Sequence, residues 1–170
     1  MESGPGLLAT LIYLAIVAPP MTLLHELGHA ITARLLLGGD VQVSVGSAGK
    51  LAETHLGQIA ISVNALAHPG RAAGHAEFDA SRATARDVLL IALAGPAASL
   101  AGAAMTAWAL SAVGPSGIVH DVLWAATGYG IFCGVLNLMP ISLKDRRDGP
   151  TVRTDGRLAL DALRVARAFR

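Results

Sequence analysis

Aromatic side chains are scarce in this 170-residue chain, at 4%, and charged ones make up only 15%, against about 25% in a soluble domain. The apolar content of 53% is therefore carried by Ala, Leu, Val and Ile, the residues of membrane helices, and mean hydropathy reaches +0.54. Cys133 is the single cysteine, which excludes an internal disulfide and any zinc site built from several thiolates. Formal net charge is +1, and no basic run with interleaved aromatics occurs, so nucleic acid is not an expected partner. The chain opens Met1-Glu2-Ser3-Gly4, without the positive segment of a cleaved signal, so its first apolar stretch is expected to stay in the mature protein. No internal repeat is visible, and the length suits one domain over 1–170.

Three apolar stretches are long enough to cross a bilayer, for which roughly 20 residues suffice. The first runs from about Leu7 to Leu37, carries no charge before His25, and contains Pro19-Pro20, where a bend or restart is expected. Gly38-Gly39-Asp40 ends it as a glycine cap would. The second and third, about Val88–Val113 and Ile118–Met139, are joined by Gly114-Pro115-Ser116-Gly117, a turn so tight that they must form an antiparallel hairpin. Small residues four apart, Ala94/Ala98/Gly102 and Gly130/Gly134, allow close helix approach.

Between the first two stretches the pattern changes. Val41, Val43 and Val45 alternate with polar residues, and Ile59–Val63 is β-rich. A hairpin or three-stranded sheet is expected within about 41–78, with Gly74–Phe78 as a candidate last strand and His68-Pro69-Gly70 as a turn. Asp79 to Arg86 reads as a polar connection capped into the next helix. A polar stretch, Ile141 to Thr154, follows the third apolar segment, then an amphipathic helix over about 155–169. Its Arg157, Arg164 and Arg167, with Arg170, form a solvated or lipid-headgroup face. Arg34, Arg82, Arg86, Lys144, Arg146, Arg147 and Arg153 all flank one end of the three stretches. The positive-inside rule then places the N-terminus outside and the C-terminus in the cytoplasm. The expected fold is a three-transmembrane-helix core with a small membrane-associated β-sheet between helices one and two and a C-terminal amphipathic helix. The Ala-, Gly- and Arg-rich usage is compatible with a bacterial cell membrane.

Within the first apolar stretch stands His25-Glu26-Leu27-Gly28-His29. Residues four apart share a helix face, so both imidazoles can reach one Zn²⁺ while Glu26 stands beside its water. Ionisable side chains in an apolar segment are expensive to keep and point to function. A catalytic zinc site usually has three protein ligands, and a carboxylate is the usual partner of two histidines. Asp155-Gly156 is preferred because it opens a helix at the expected depth. Asp148-Gly149 is the competitor, followed by Pro150 with no helix start. His55, His68, His75 and His120 are not expected to bind metal. Cys133 reads as a small buried apolar residue.

Four landmarks in order give the chain a resemblance to the site-2 protease family of intramembrane zinc metalloproteases (peptidase family M50). They are the HELGH segment, the β-rich segment after it, Ala94-Gly95-Pro96-Ala97-Ala98-Ser99, and Asn137-Leu138-Met139-Pro140 followed by Asp155-Gly156. Two features depart from the family pattern: Ser99 stands where Asn is common, and Asn137 and Asp155 are separated by a longer insertion. The resemblance implies one Zn²⁺ per chain on His25, His29 and Asp155. It also implies a membrane-anchored protein substrate cleaved within or beside the bilayer. Glu26 would act as general base, and Asn137 as a hydrogen-bond donor to substrate or oxyanion. Because a membrane helix satisfies its own amides, the scissile segment must unwind, and pairing along Val41–Val45 could hold it extended. The alternatives are a catalytically inactive relative that binds membrane partners, and a soluble metalloprotease carrying a membrane anchor.

Overall fold

The computed structural model describes residues 7–65, 73–144 and 151–168. The first helix, α1 (Leu7–Leu37), passes through Pro19 and Pro20 without restarting, so of the expected bend or restart the restart does not occur. Proline removes two donors there and leaves the carbonyls of Ala15 and Ile16 without helical partners, yet the flanking apolar turns hold the segment together. Gly38 and Gly39, both with positive φ, then end the helix and turn the chain into the sheet.

The strands are β1 (Val41–Val45), β2 (Lys50–Leu56), β3 (Ile59–Asn64) and β4 (Gly74–Glu77). Their order is β2-β3-β1-β4, so the sheet has four strands rather than the expected two or three. β1 runs parallel to β3, in a register that sets Val41, Val43 and Val45 beside Ile59, Ile61 and Val63. β4 pairs antiparallel on the other side of β1, and β2 pairs antiparallel with β3. Strand alternation puts the valines and isoleucines on one face, where Val41, Val43, Ile59 and Ile61 pack with Ala30 of α1 and with Leu23 and Leu27. β1 is therefore an interior strand, and the expected pairing of another chain along Val41–Val45 has no free edge to use. Among the described residues the free edges belong to β2 and β4.

The helix α2 (Ala85–Ser111) starts three residues earlier than hydropathy alone suggests. Thr84 caps it, its Oγ1 accepting from the Asp87 amide at 3.2 Å while Asp87 Oδ2 accepts from the Thr84 amide at 2.9 Å. This reciprocal box draws Arg86 and Asp87 into the first turn. α3 (Ile118–Leu138) returns antiparallel after a turn that includes Gly117 at φ 108°. Both α2 and α3 are long and apolar enough to cross a membrane.

Small residues set the helix spacing. A Cβ on Gly28 would lie 2.5 Å from the Ala94 carbonyl oxygen and 2.8 Å from Ala98 Cβ, and one on Gly130 would lie 3.0 Å from Ala103 Cβ. Thr106 and Thr127 hydroxyls join α2 to α3 at 2.9 Å.

After α3 the polar stretch folds on itself as β5 (Ser142–Lys144) and β6 (Thr151–Arg153), paired antiparallel. Thr154 then bonds back to Ile141, amide to carbonyl at 3.1 Å, and its hydroxyl accepts from the Ile141 amide at 3.1 Å. The insertion is thus closed at its base, and α4 (Asp155–Ala168) begins beside the end of α3. Gly156 packs against the Leu138 carbonyl so tightly that any Cβ would overlap it.

Gly28→Ala should destabilise the protein by about 1–3 kcal/mol, the usual range for forced overpacking. Gly128→Ala, where nothing lies within 4 Å of the added carbon, should be neutral or stabilising by up to about 1 kcal/mol. Thermal unfolding of the two purified variants checks this pair; equal midpoints would contradict the packing account.

Candidate metal centre

The HELGH turn lies in the middle of α1, where α2 covers it. His25, Glu26 and His29 are all buried. Their exposure to apolar neighbours is relieved by specific partners. His29 Nδ1 donates to the Ile91 carbonyl at 2.7 Å; a carbonyl can only accept, so in neutral His29 the Nε2 lone pair faces inward. His25 Nδ1 lies 2.9 Å from the Ser99 hydroxyl, itself buried, which holds that ring in place through a group able to donate or accept. The rings meet edge to face with centroids 4.9 Å apart.

Asp155 completes the cluster from the far end of the chain. Its Oδ2 is 3.1 Å from His25 Nε2 and its Oδ1 is 3.3 Å from His29 Nε2, while the two Nε2 atoms lie 3.2 Å apart. Burial pushes the Asp155 carboxyl up, but hydrogen bonds from His25 and His29, together with their charge, outweigh it and hold it below the ordinary carboxylate range. The Nε2 of neutral His29 has no proton to give, so its 3.3 Å approach to the carboxylate is unfavourable unless a cation, proton or metal ion, lies between them. The separations suit a metal: ligands about 2.0–2.1 Å from a tetrahedral ion are roughly 3.3 Å from each other. His25, His29 and Asp155 are the one group of three or more such ligands among the described residues.

The sequence-derived residues therefore divide cleanly. His25, His29 and Asp155 come together as expected, and Glu26 is buried on the same helix turn. Asp148 lies outside the described residues, as does His68. His75 pairs with Glu77 at 3.3 Å and His120 with Asp121 at 3.3 Å; neither joins the cluster. Asn137 Nδ2 donates to the Cys133 carbonyl one turn back, at 3.1 Å, and no hydrogen bond among the described residues ties it to the three ligands.

Three contributors escaped sequence reasoning. Ser99 orients His25. Gly95, which reads as a packing kink, makes room for the His29 ring, which any Cβ there would overlap. Gly74, the first residue of β4, has its vacant Cβ position 3.0 Å from Glu26 Oε1 and 2.8 Å from Thr22 Cγ2, so the sheet edge begins against the acid. Thr22 in turn shares a 3.2 Å hydrogen bond with the Tyr129 hydroxyl of α3. The Ala-Gly-Pro run was the only signal for the first two; nothing local marks Gly74.

No family model matches the chain, and no curated protein is significantly similar to it. The chemistry of the centre is accordingly argued from its own residues.

Ser99→Ala should leave the fold intact and weaken metal binding about 10- to 100-fold, the usual effect of losing a partner that orients a ligand. Chelator competition on the purified protein measures it; an unchanged affinity would show that Ser99 does not orient His25.

Proposed function

We propose that this protein is an integral membrane zinc endopeptidase of the site-2 protease type, cleaving membrane-anchored protein substrates within or beside the bilayer. One observation carries the reading: two Nε2 atoms and a carboxylate distant in sequence converge within hydrogen-bond distance, beside a buried glutamate on the same helix turn. His25, His29 and Asp155 hold the metal. Nitrogen and oxygen donors at this spacing suit Zn²⁺.

Zinc bound there supplies a Lewis acid that polarises a carbonyl and brings the pKa of a water toward 7. Glu26 accepts one proton from the attacking water as the C–O bond forms. It returns that proton to the departing amine nitrogen as the C–N bond breaks. Burial of the histidines and of Glu26 keeps bulk water from these steps. The unwound substrate strand has a free sheet edge available in β4, whose first residue touches Glu26; backbone pairing there replaces the helical hydrogen bonds lost on unwinding. Asn137 Nδ2 carries two hydrogens, one on the Cys133 carbonyl and one left for the substrate.

Three crossings are proposed, with α1 joining α2 and α3. Ile12, Ile16, Ile31 and Leu35 of α1 are exposed, as are Met105, Trp108, Trp124 and Phe132 on the α2–α3 hairpin, which suits lipid contact. Trp108 and Trp124 both lie toward the turn that joins α2 to α3, as interfacial aromatics do, while Arg34, Arg82, Arg86 and Arg153 gather at the opposite end. That distribution supports an outer N-terminus and a cytoplasmic C-terminus.

Co-reconstitution with a panel of single-span membrane proteins in liposomes tests the activity. Glu26→Gln should slow cleavage about 10²- to 10⁴-fold, the span of general acid–base catalysis, with metal content unchanged. Undiminished cleavage by that variant would overturn the mechanism. A wild-type protein that binds metal and cleaves none of the panel would favour the inactive-relative alternative.

A further inference from the structure

The helix that supplies Asp155 carries a second surface. Gly156, Ala159 and Ala162 are buried, so the first half of α4 packs on the body of the protein. From Leu163 to Ala168 every residue is exposed; the second half leaves the body behind. At about 100° per residue, Leu158, Ala162, Leu163, Val165 and Ala166 fall on one side of the helix. Arg157, Arg164 and Arg167 fall on the other, with Asp161. The apolar side is uncovered: Leu158, Leu163 and Val165 are 37%, 39% and 49% exposed.

The charge on the other side is unbalanced. Asp161 is shared by three guanidiniums, Arg157 at 3.2 Å and Arg153 and Arg164 at 3.5 Å. One carboxylate cannot neutralise three cations, and Arg167 has no acidic partner among the described residues.

We propose that the second half of α4 lies in the headgroup layer of an anionic bilayer, with Leu163 and Val165 toward the acyl chains and Arg164 and Arg167 on lipid phosphates. An uncovered apolar stripe backed by surplus arginines is the arrangement that binds such a surface. The inference rests on the membrane reading above, in which this end of the α2–α3 hairpin meets the cytoplasmic leaflet, the more anionic one. A soluble partner or a second copy would have to match the apolar stripe without any lipid dependence, and these are the competing outcomes.

The test uses the full chain in a Cys133→Ala background, with an environment-sensitive dye at Val165→Cys or, separately, Met105→Cys on α2. Each is reconstituted in phosphatidylcholine with and without phosphatidylglycerol, and quenching by nitroxide-bearing lipid is read. The dye at 165 should be quenched strongly only when phosphatidylglycerol is present. Arg164→Gln and Arg167→Gln should each lower its buried-to-exposed ratio about fivefold, and added salt should act in the same direction. The dye at 105 should be quenched in both lipids. Quenching at 105 but not at 165, or quenching at 165 indifferent to lipid charge and to both substitutions, overturns the placement of α4 and leaves the membrane reading standing. Absence of quenching at 105 overturns both.

Discussion

The convergence of two imidazoles and a carboxylate in apolar surroundings is the constraint around which this molecule is organised. Two imidazole nitrogens on α1 and a carboxylate at the start of α4 lie 3.1–3.3 Å apart, with their outer atoms tied so that the rings cannot turn away. The Ile91 carbonyl takes the Nδ1 proton of His29, and Ser99 engages Nδ1 of His25. A proton or a metal ion between the His29 nitrogen and the carboxylate would turn their repulsion into attraction.

The rest of the architecture serves that convergence. Gly28 lets α2 approach α1 closely enough for Ile91 and Ser99 to reach the histidines, and Gly95 leaves the volume that the His29 ring fills. At the other end, Thr154 closes the β5–β6 insertion against Ile141, and Gly156 seats the first turn of α4 on the end of α3. The length of the insertion is then immaterial to the ligand, because the chain re-enters where it left. Edge strand β4 begins against Glu26, which brings a sheet edge next to the acid.

Long apolar runs and the four-residue histidine spacing were legible in the sequence because each depends only on neighbours along one helix. The same holds for Asp155-Gly156, where a helix start coincides with a carboxylate. The order of the sheet was not legible: parallel pairing of β1 with β3 depends on β2 folding out as a hairpin, and alternation alone does not distinguish an interior strand from an edge. The early start of α2 was hidden because hydropathy discounts Arg86 and Asp87, whereas the Thr84–Asp87 box favours them. At Pro19-Pro20 the local penalty left two readings open, and the continuity of the helix excludes the restart. Ser99, Gly95 and Gly74 owe their roles to what faces them across helices, which no local pattern records.

The most direct measurement is the metal content of the purified protein, determined for wild type, Asp155→Ala and Asp148→Ala side by side. The account predicts one zinc per chain in the wild type and in Asp148→Ala, and loss of the ion in Asp155→Ala. Zinc retained by Asp155→Ala and lost from Asp148→Ala would contradict it.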